Sequence, residues 1–124
     1  MENTLKSWNQ GSLTIGLLQE PGQLRLKWEG KSTAREPRLF LMPLLTEAFE
    51  SARDAGLPLV LDFAALDYMN SSTLTSVVRA LQESLRLSVP VVLEYSLARR
   101  WQGLSFEAFR TFETKDGRIK IAGK

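Results

Sequence analysis

The residues of this sequence that could do chemistry are three consecutive hydroxyl-bearing residues, Ser71, Ser72 and Thr73, which follow Asn70 and precede an apolar stripe of helical spacing. At a helix start, Ser, Thr and Asn side chains cap the free backbone N–H groups. That position also tolerates a phosphate, because those N–H groups and the positive end of the helix dipole favour negative charge. A phosphate there would add about −1.5 to −2 charges to the surface, and we expect the domain to stay folded.

The composition excludes much familiar enzymology. The chain contains no cysteine and no histidine, so it has no disulfide, no zinc-thiolate site and no imidazole base. Asp62 and Asp67 are the nearest carboxylates, but the local sequence supplies no third ligand or base. We interpret Asp62 as a strand-end hydrogen-bonding group and Asp67 as a solvated loop residue. We therefore expect no catalytic activity, no metal and no cofactor.

The charge pattern bears on partners and location. Sixteen Lys and Arg against fourteen Asp and Glu give a formal charge of +2, which is too small and too scattered to attract nucleic acid. No apolar run reaches the about 18 residues that suggest a membrane-spanning helix. The first residues lack the basic start and apolar stretch of a signal peptide. We expect a cytoplasmic protein without membrane insertion.

The first part of the chain predicts a β-hairpin. Residues 12–18 form a probable strand, and Pro21 and Gly22 supply the turn. Residues 24–28 then alternate apolar and charged side chains, which is the period of a strand with one buried face. Residues 1–11 can be a tail, an edge strand or a partner contact. Residues 12–124 have the length of a single domain.

Helices and strands alternate after this hairpin. An apolar stripe of helical spacing ends at Gly56, and the helix either begins at Pro43 or carries an earlier turn that Pro43 kinks. Residues 57–63 form a nearly continuous apolar run, which is typical of a central strand covered on both faces. The sequence predicts a loop between this strand and the next helix.

The second half repeats the pattern. A second amphipathic helix is predicted from Leu74 to Leu85, and residues 89–94 form another central strand. Strand, helix and strand in this order predict a βαβ unit with parallel strands. A looser apolar pattern predicts a third helix over 97–109. Asp116-Gly117 predicts a C-terminal β-hairpin.

The segment Asn70-Ser71-Ser72-Thr73-Leu74 resembles the Asp-Ser-Ser-Gly-Leu motif of the STAS family, best known from bacterial anti-sigma-factor antagonists. In that family a central strand that ends near an aspartate leads through a short loop to the motif and a helix, and the matching strand here is Leu59 to Phe63. The order of elements matches over residues 12–112. The resemblance implies an α/β fold with a single mixed β-sheet, built from an N-terminal hairpin and central parallel strands with helices packed on it.

The same resemblance implies a non-catalytic regulatory protein. In STAS antagonists the first serine of the motif is phosphorylated by a partner kinase of the ATPase type, phosphorylation blocks binding to that partner, and a phosphatase removes the phosphate. By position the phosphoacceptor is Ser71, and the partner is a serine kinase or an anti-sigma factor. The partner-binding residues implied by position in the motif and in the neighbouring loop are Asn70, Ser71, Ser72, Thr73, Thr75, Lys31, Ser32 and Thr33.

Two residues depart from the motif. Asn70 stands where the family has an acidic residue, and Thr73 stands where it has a glycine. Both departures favour an alternative, a constitutive structural subunit of a transport or signalling complex that docks through the same helix end without phosphorylation. In a purely structural interpretation, Asn70 or Ser71 is simply the helix cap. The sequence leaves the partner and the oligomeric state open.

Overall fold

Alternating apolar side chains in the first strands bury one face of a β-sheet against the helices. The structure, a computed structural model, describes residues 3–124. Its strands are β1 (Asn3–Gln10), β2 (Leu13–Glu20), β3 (Gln23–Ser32), β4 (Leu59–Asp62), β5 (Leu66–Met69), β6 (Val91–Tyr95) and β7 (Ile119–Gly123). Its helices are α1 (Arg38–Ala55), α2 (Ser71–Arg86) and α3 (Arg100–Phe106), and a 3₁₀ helix (Glu107–Phe112) follows α3.

The strands form one mixed sheet in the order β1-β2-β3-β4-β6-β7, and β5 extends it beside β3. The first three strands are antiparallel, whereas β3, β4, β6 and β7 run parallel. Leu24, Leu26 and Trp28 of β3 are buried in the core, as the period of two predicts. The predicted α/β fold, with an N-terminal hairpin and central parallel strands, is confirmed.

The residues before the predicted hairpin form β1, an edge strand beside β2. Of the alternatives for residues 1–11, the structure shows the edge strand, since β1 pairs antiparallel with β2 and residues 1 and 2 lie outside the described part. Lys6 on β1 forms an ion pair of 2.6 Å with Glu47 of α1. The register shifts between Thr4 and Lys6, which is an irregularity typical of edge strands.

Helix α1 begins earlier than Pro43. The proline lies inside the helix and is exposed, so water can reach the backbone groups that its missing N–H leaves without a partner. The predicted end at Gly56 is confirmed. Gly56 adopts the left-handed conformation (φ 67°), and Leu57 N–H donates to Ala52 O at 2.9 Å, as in the usual glycine-terminated helix.

The predicted C-terminal hairpin is wrong in its first arm. The sequence predicts residues 112–114 as this arm, but Phe112 ends the 3₁₀ helix, with its ring edge to face against that of Phe109, and Glu113 and Thr114 lie on no strand. The second arm, β7, pairs parallel with β6, where Ile119 and Ile121 are buried. Burial of these two side chains beside the central strands outweighs the local preference for a ribbon. The turn at Gly117 is present, with φ 79°.

A cluster of charged side chains pins the sheet face opposite the core. Arg25 of β3 donates to Glu20, Asp62 and Glu94 at 2.9, 2.9 and 2.7 Å, so three strands are joined to β3. The Arg25 side chain is 15% exposed. Lys124 adds a fourth contact, at 2.7 Å to Glu94. Asp62 also accepts a hydrogen bond from Ala64 N–H at 3.0 Å, which agrees with its interpretation as a strand-end hydrogen-bonding group.

The cluster shifts the pKa values of its glutamates. Hydrogen bonds from Arg25 lower the pKa of Glu20. Burial alone would raise the pKa of Glu94, but the hydrogen bonds from Arg25 and Lys124 outweigh it and the pKa is lowered. Both glutamates are therefore held in their charged form.

Acid is expected to weaken this cluster. Because the folded-state pKa values of Glu20 and Glu94 lie below the ordinary value of 4.5, their contribution to stability is complete above pH 4.5 and is lost as the pH falls through the lowered values. Arg25→Met would leave three clustered carboxylates without their cation, and we expect the free energy of unfolding at pH 7 to fall by about 2 kcal/mol, less than for a fully buried pair because water reaches the site. Urea unfolding at several pH values measures both effects.

The sign of the pH dependence separates this explanation from a loss of packing. In Arg25→Met the remaining carboxylates repel one another, so the deficit relative to wild type is expected to shrink as acid protonates them. Arg53→Met is the control, since Arg53 lies on the surface of α1 with its side chain 48% exposed. A deficit that stays constant from pH 7 to pH 3.5 would contradict the electrostatic account.

Candidate functional site

The candidate site forms where β3 changes its partner. From Leu24 to Lys27 this strand pairs with β4, but from Gly30 onward it pairs with β5, and the register shifts between Gly30 and Lys31. Residues 66–69, which the sequence assigned to a loop, are thus a short strand. Asp67 is on this strand, where it is exposed and pairs with Arg99 at 2.7 Å. Strand β5 delivers the chain directly to the start of α2.

A buried glutamine fixes the connection that precedes β5. The Gln102 side chain of α3 is fully buried and donates from Nε2 to the carbonyl oxygens of Phe63 and Leu66, at 2.6 and 2.9 Å. Its Oε1 accepts from Ser96 N–H at 2.7 Å. The Phe63 ring packs between those of Trp28 and Phe106, with centroid distances of 4.7 and 4.9 Å. The short loop into β5 is therefore held from both sides.

Asn70 is the cap of α2 and also ties the helix to a loop. Its Oδ1 accepts from both the backbone N–H and the hydroxyl of Thr73, at 2.9 and 2.8 Å. Its Nδ2 donates to the carbonyl oxygen of Ala34, in the β3–α1 loop, at 2.8 Å. Its backbone N–H donates to Ser32 O at 3.0 Å. Of the two candidate caps, Asn70 performs this role, and the Ser71 hydroxyl is left free of it.

Ser32 and Thr73 continue this network below the surface. Their hydroxyl oxygens are 2.6 Å apart, and the residues are 2% and 0% exposed. The expectation that these two side chains contact a partner is corrected, since the fold covers them. Their role is to join the end of β3 to the first turn of α2. Thr73 thus forms a buried hydrogen bond at the position where the motif has a glycine.

The other expected residues lie at the surface around this network. Ser71 and Ser72 occupy the first two positions of α2 and are exposed. Thr75 is exposed one turn later, and its hydroxyl donates to Ser71 O at 3.3 Å. Lys31, near the end of β3, and Thr33, on the loop that follows, are exposed, and they line a cavity of about 200 Å³ beside the β1–β2 turn. The structure thus brings the loop and the helix start together, as the resemblance implies.

An arginine-lined cleft next to Ser72 was missed by the sequence analysis. It has a volume of about 310 Å³ and lies between the β3–α1 loop and α2. One signal lay in the sequence: Thr75 and Arg79 follow Ser71 at intervals of four residues, so they share one side of α2. The lining residues, called the arginine cleft below, are Arg35, Glu36, Pro37, Arg38, Ser72, Thr75, Ser76 and Arg79.

Comparisons with known proteins agree on the architecture. No protein-family model matches the chain, and no curated protein matches it. Two solved structures of SiaC from Pseudomonas aeruginosa superpose with TM-scores of 0.59 and 0.63, at 20% sequence identity, covering 96% of this chain and 97% and 98% of theirs. An uncharacterized DUF3478-family protein with a SpoIIAA-like fold, from Shewanella loihica PV-4, superposes with a TM-score of 0.54 at 20% identity, covering 94% of this chain and 90% of its own.

The mixed sheet, the capped helix after the central strand and the superposed structures define an α/β domain of the SpoIIAA-like class. This class has the STAS fold, so the fold implied by the motif resemblance is confirmed. Within residues 3–124, none of the helices is long and apolar enough to cross a membrane.

Proposed function

We propose that this chain is a non-catalytic, cytoplasmic STAS-type regulatory protein that binds a partner protein through the surface around Ser71. In this proposal an ATPase-type serine kinase phosphorylates Ser71, phosphorylation changes the affinity for the kinase or an anti-sigma-type partner, and a phosphatase restores it. The observation that carries the proposal is the position of Ser71: an exposed hydroxyl on the first residue of a helix whose cap is made by another residue.

The cap geometry supports a reversible modification. Because Asn70 caps α2, a phosphate on Ser71 breaks no hydrogen bond that holds the fold. The unpaired N–H groups and the positive end of the helix dipole accommodate the added negative charge. The modification therefore changes the surface while leaving the domain folded, which is what a docking switch requires.

Burial distinguishes among the neighbouring hydroxyls. Thr73 is fully buried and hydrogen-bonded to Asn70 and Ser32, so a kinase cannot reach it without opening the helix start. Ser72 is exposed and is the nearest competitor. The position of Ser71 as the first serine of the motif favours it as the acceptor.

The phosphoacceptor is tested by mass spectrometry. The protein is incubated with an ATPase-type serine kinase from the same organism and ATP, and we expect wild type to gain the mass of one phosphate group. Ser71→Ala is expected to abolish the gain, whereas Ser72→Ala, the matched control one residue away, is expected to retain it. Equal labelling of Ser71→Ala and wild type would refute the site assignment.

A second candidate is a constitutive structural subunit of a transport or signalling complex. The double tether of Asn70, to Thr73 and to Ala34, favours it because it fixes the docking surface in one arrangement. In this case a stable stoichiometric complex would form and would be insensitive to Ser71→Asp. Under the switch proposal, Ser71→Asp is expected to weaken that complex.

A further inference from the structure

The arginine cleft has a net positive charge. Three of its lining residues are arginines and one is a glutamate, so its ionised side chains sum to +2, which equals the formal charge of the whole chain. The contact between Arg38 and Glu36 is loose, at 3.4 Å, and both side chains are more than 60% exposed. Among the described residues, Arg35 and Arg79 form no ion pair. The cleft therefore presents cations that residues 3–124 do not neutralise.

The three arginines approach the cleft from separate elements. Arg35 is held on the β3–α1 loop, next to the residue that Asn70 tethers, while Arg38 begins α1 and Arg79 lies on α2. Ser76 is buried in the floor, and its hydroxyl lies 3.5 Å from Ser72 O. Guanidinium groups bind carboxylates through pairs of parallel hydrogen bonds. A trough with guanidiniums on several sides suits a chain segment that bears several carboxylates.

We propose that the arginine cleft docks an acidic segment of the partner protein, and that a phosphate on Ser71 switches this docking off. The switching part rests on the function proposed above. An acidic peptide fits better than a nucleotide, because the cleft is open and has no glycine-rich loop to surround a phosphate group. In addition, the Thr75 hydroxyl donates to a helix carbonyl and the Thr73 N–H is occupied by Asn70.

The charge of a phosphate group is large enough to offset the net charge of the cleft. Ser71 is adjacent in the chain to Ser72, which lines the cleft, and charges interact over about 8 Å at physiological salt. A phosphate brings about −1.5 to −2 charges, which reduces the local charge from +2 to near zero. The attraction for an acidic segment is thus cancelled without any change of fold.

The docking step is tested with a fluorescein-labelled hexaglutamate peptide and fluorescence anisotropy at 50 mM and 300 mM salt. We expect salt-sensitive binding to wild type and about a tenfold loss of affinity in Arg35→Gln/Arg38→Gln/Arg79→Gln, from three partly exposed ion pairs. The matched control carries the same charge change elsewhere, in Arg53→Gln/Arg100→Gln/Arg118→Gln, and is expected to bind within about twofold of wild type. Urea unfolding verifies that both triple variants are folded.

The switching step uses phosphoserine introduced at a defined position during synthesis. Phosphoserine at position 71 is expected to weaken peptide binding about tenfold, whereas phosphoserine in place of Ser88, two residues beyond the C-terminal end of α2, is expected to leave it within about twofold. Equal losses of affinity at the two positions would overturn the proposal that the phosphate on Ser71 acts locally on the cleft, because the total charge alone would then explain the loss.

The other possible outcomes of these experiments distinguish the docking proposal from the phosphorylation proposal. Equal loss of binding in the two triple variants, or binding of ATP or inorganic phosphate without binding of the peptide, would overturn the cleft as a docking site for acidic segments. Peptide binding that depends on the cleft, in a protein whose Ser71 is never labelled by its kinase, would support the docking step and refute the phosphorylation proposal. Labelling of Ser71 without peptide binding would do the reverse.

Discussion

Gly30→Ala is expected to lower the free energy of unfolding by about 3 kcal/mol or more, the largest loss that we predict for a single methyl group in this chain. Gly30 has φ +90°, a conformation that residues with a side chain rarely adopt. A Cβ atom at this position would also overlap the backbone carbonyl oxygen of Ser12. Because the obstacle is main chain, a rotamer change cannot relieve it. Urea or thermal unfolding measures the loss.

Alanine substitutions at two other glycines separate the effect of backbone strain from the effect of the steric overlap. Gly22 also has a positive φ, of 80°, but an added Cβ there meets nothing within 4 Å. Gly22→Ala therefore reports backbone strain alone, and we expect about 1 kcal/mol. Gly16, on the neighbouring strand, has neither a positive φ nor a close neighbour, and Gly16→Ala is expected to be nearly neutral. A loss at Gly30 no larger than that at Gly22 would show that the overlap with Ser12 is not decisive.

The consequence for the site follows from the place of Gly30 in β3. It is the first residue of β3 that pairs with β5, and the register of that pairing shifts between Gly30 and Lys31. The carbonyl of Ser12 accepts a hydrogen bond from the N–H of the next residue, Lys31, at 3.3 Å, so the strand cannot simply swing away. If Gly30→Ala folds at all, we expect the end of β3, with Lys31, and the loop that follows, with Thr33, to be displaced.

Local patterns predicted most of this architecture. The alternation from Leu24 to Trp28 specified a strand with one buried face, and Gly56 specified a helix end, because each depends on residues close together in the chain. Asn70 was among the caps that the sequence allowed, since its side chain bonds a backbone group three residues away.

The features that the sequence did not predict depend on distant residues. Ile119 and Ile121 join β6 in a parallel pair because the core leaves a place for them there, whereas Asp116-Gly117 carries only the local preference for a hairpin. Residues 66–69 become a strand because the end of β3 is free to pair with them. The arginine cleft unites Arg35 with Arg79, 44 positions apart, and no pattern within either segment links the two.

The motif resemblance placed an acidic residue at position 70, and the structure shows what asparagine does there. An aspartate could accept both hydrogen bonds from Thr73 equally well. It could not donate to Ala34 O, which lies 2.8 Å from Nδ2, and it would face that oxygen with a negative charge. The amide is therefore matched to the loop as well as to the helix. This explains why a residue that departs from the motif still builds the helix start.

Asn70→Ala is expected to lower the free energy of unfolding by about 3 kcal/mol, from one lost cap of about 1 kcal/mol and two further hydrogen bonds of about 1 kcal/mol each. Asn70→Asp keeps the cap and gains from the helix dipole, so the expected net loss is about 1 kcal/mol. Urea unfolding measures both values. Asn9→Asp is the matched control, because Asn9 is exposed on the edge strand and makes one side-chain hydrogen bond, to Thr14 at 2.8 Å.

Hydrogen exchange separates the two roles of Asn70 in the same variants. In Asn70→Asp the amides of the first turn of α2 should stay protected, since the cap remains, while residues 33–36 of the released loop should exchange faster. In Asn70→Ala both regions should exchange faster. Uniform protection of the loop in Asn70→Asp would mean that the bond to Ala34 O contributes little. Because Arg35 lies on that loop, its release would also loosen one wall of the arginine cleft, so the amide of Asn70 connects the helix start to the surface on which docking is proposed to depend.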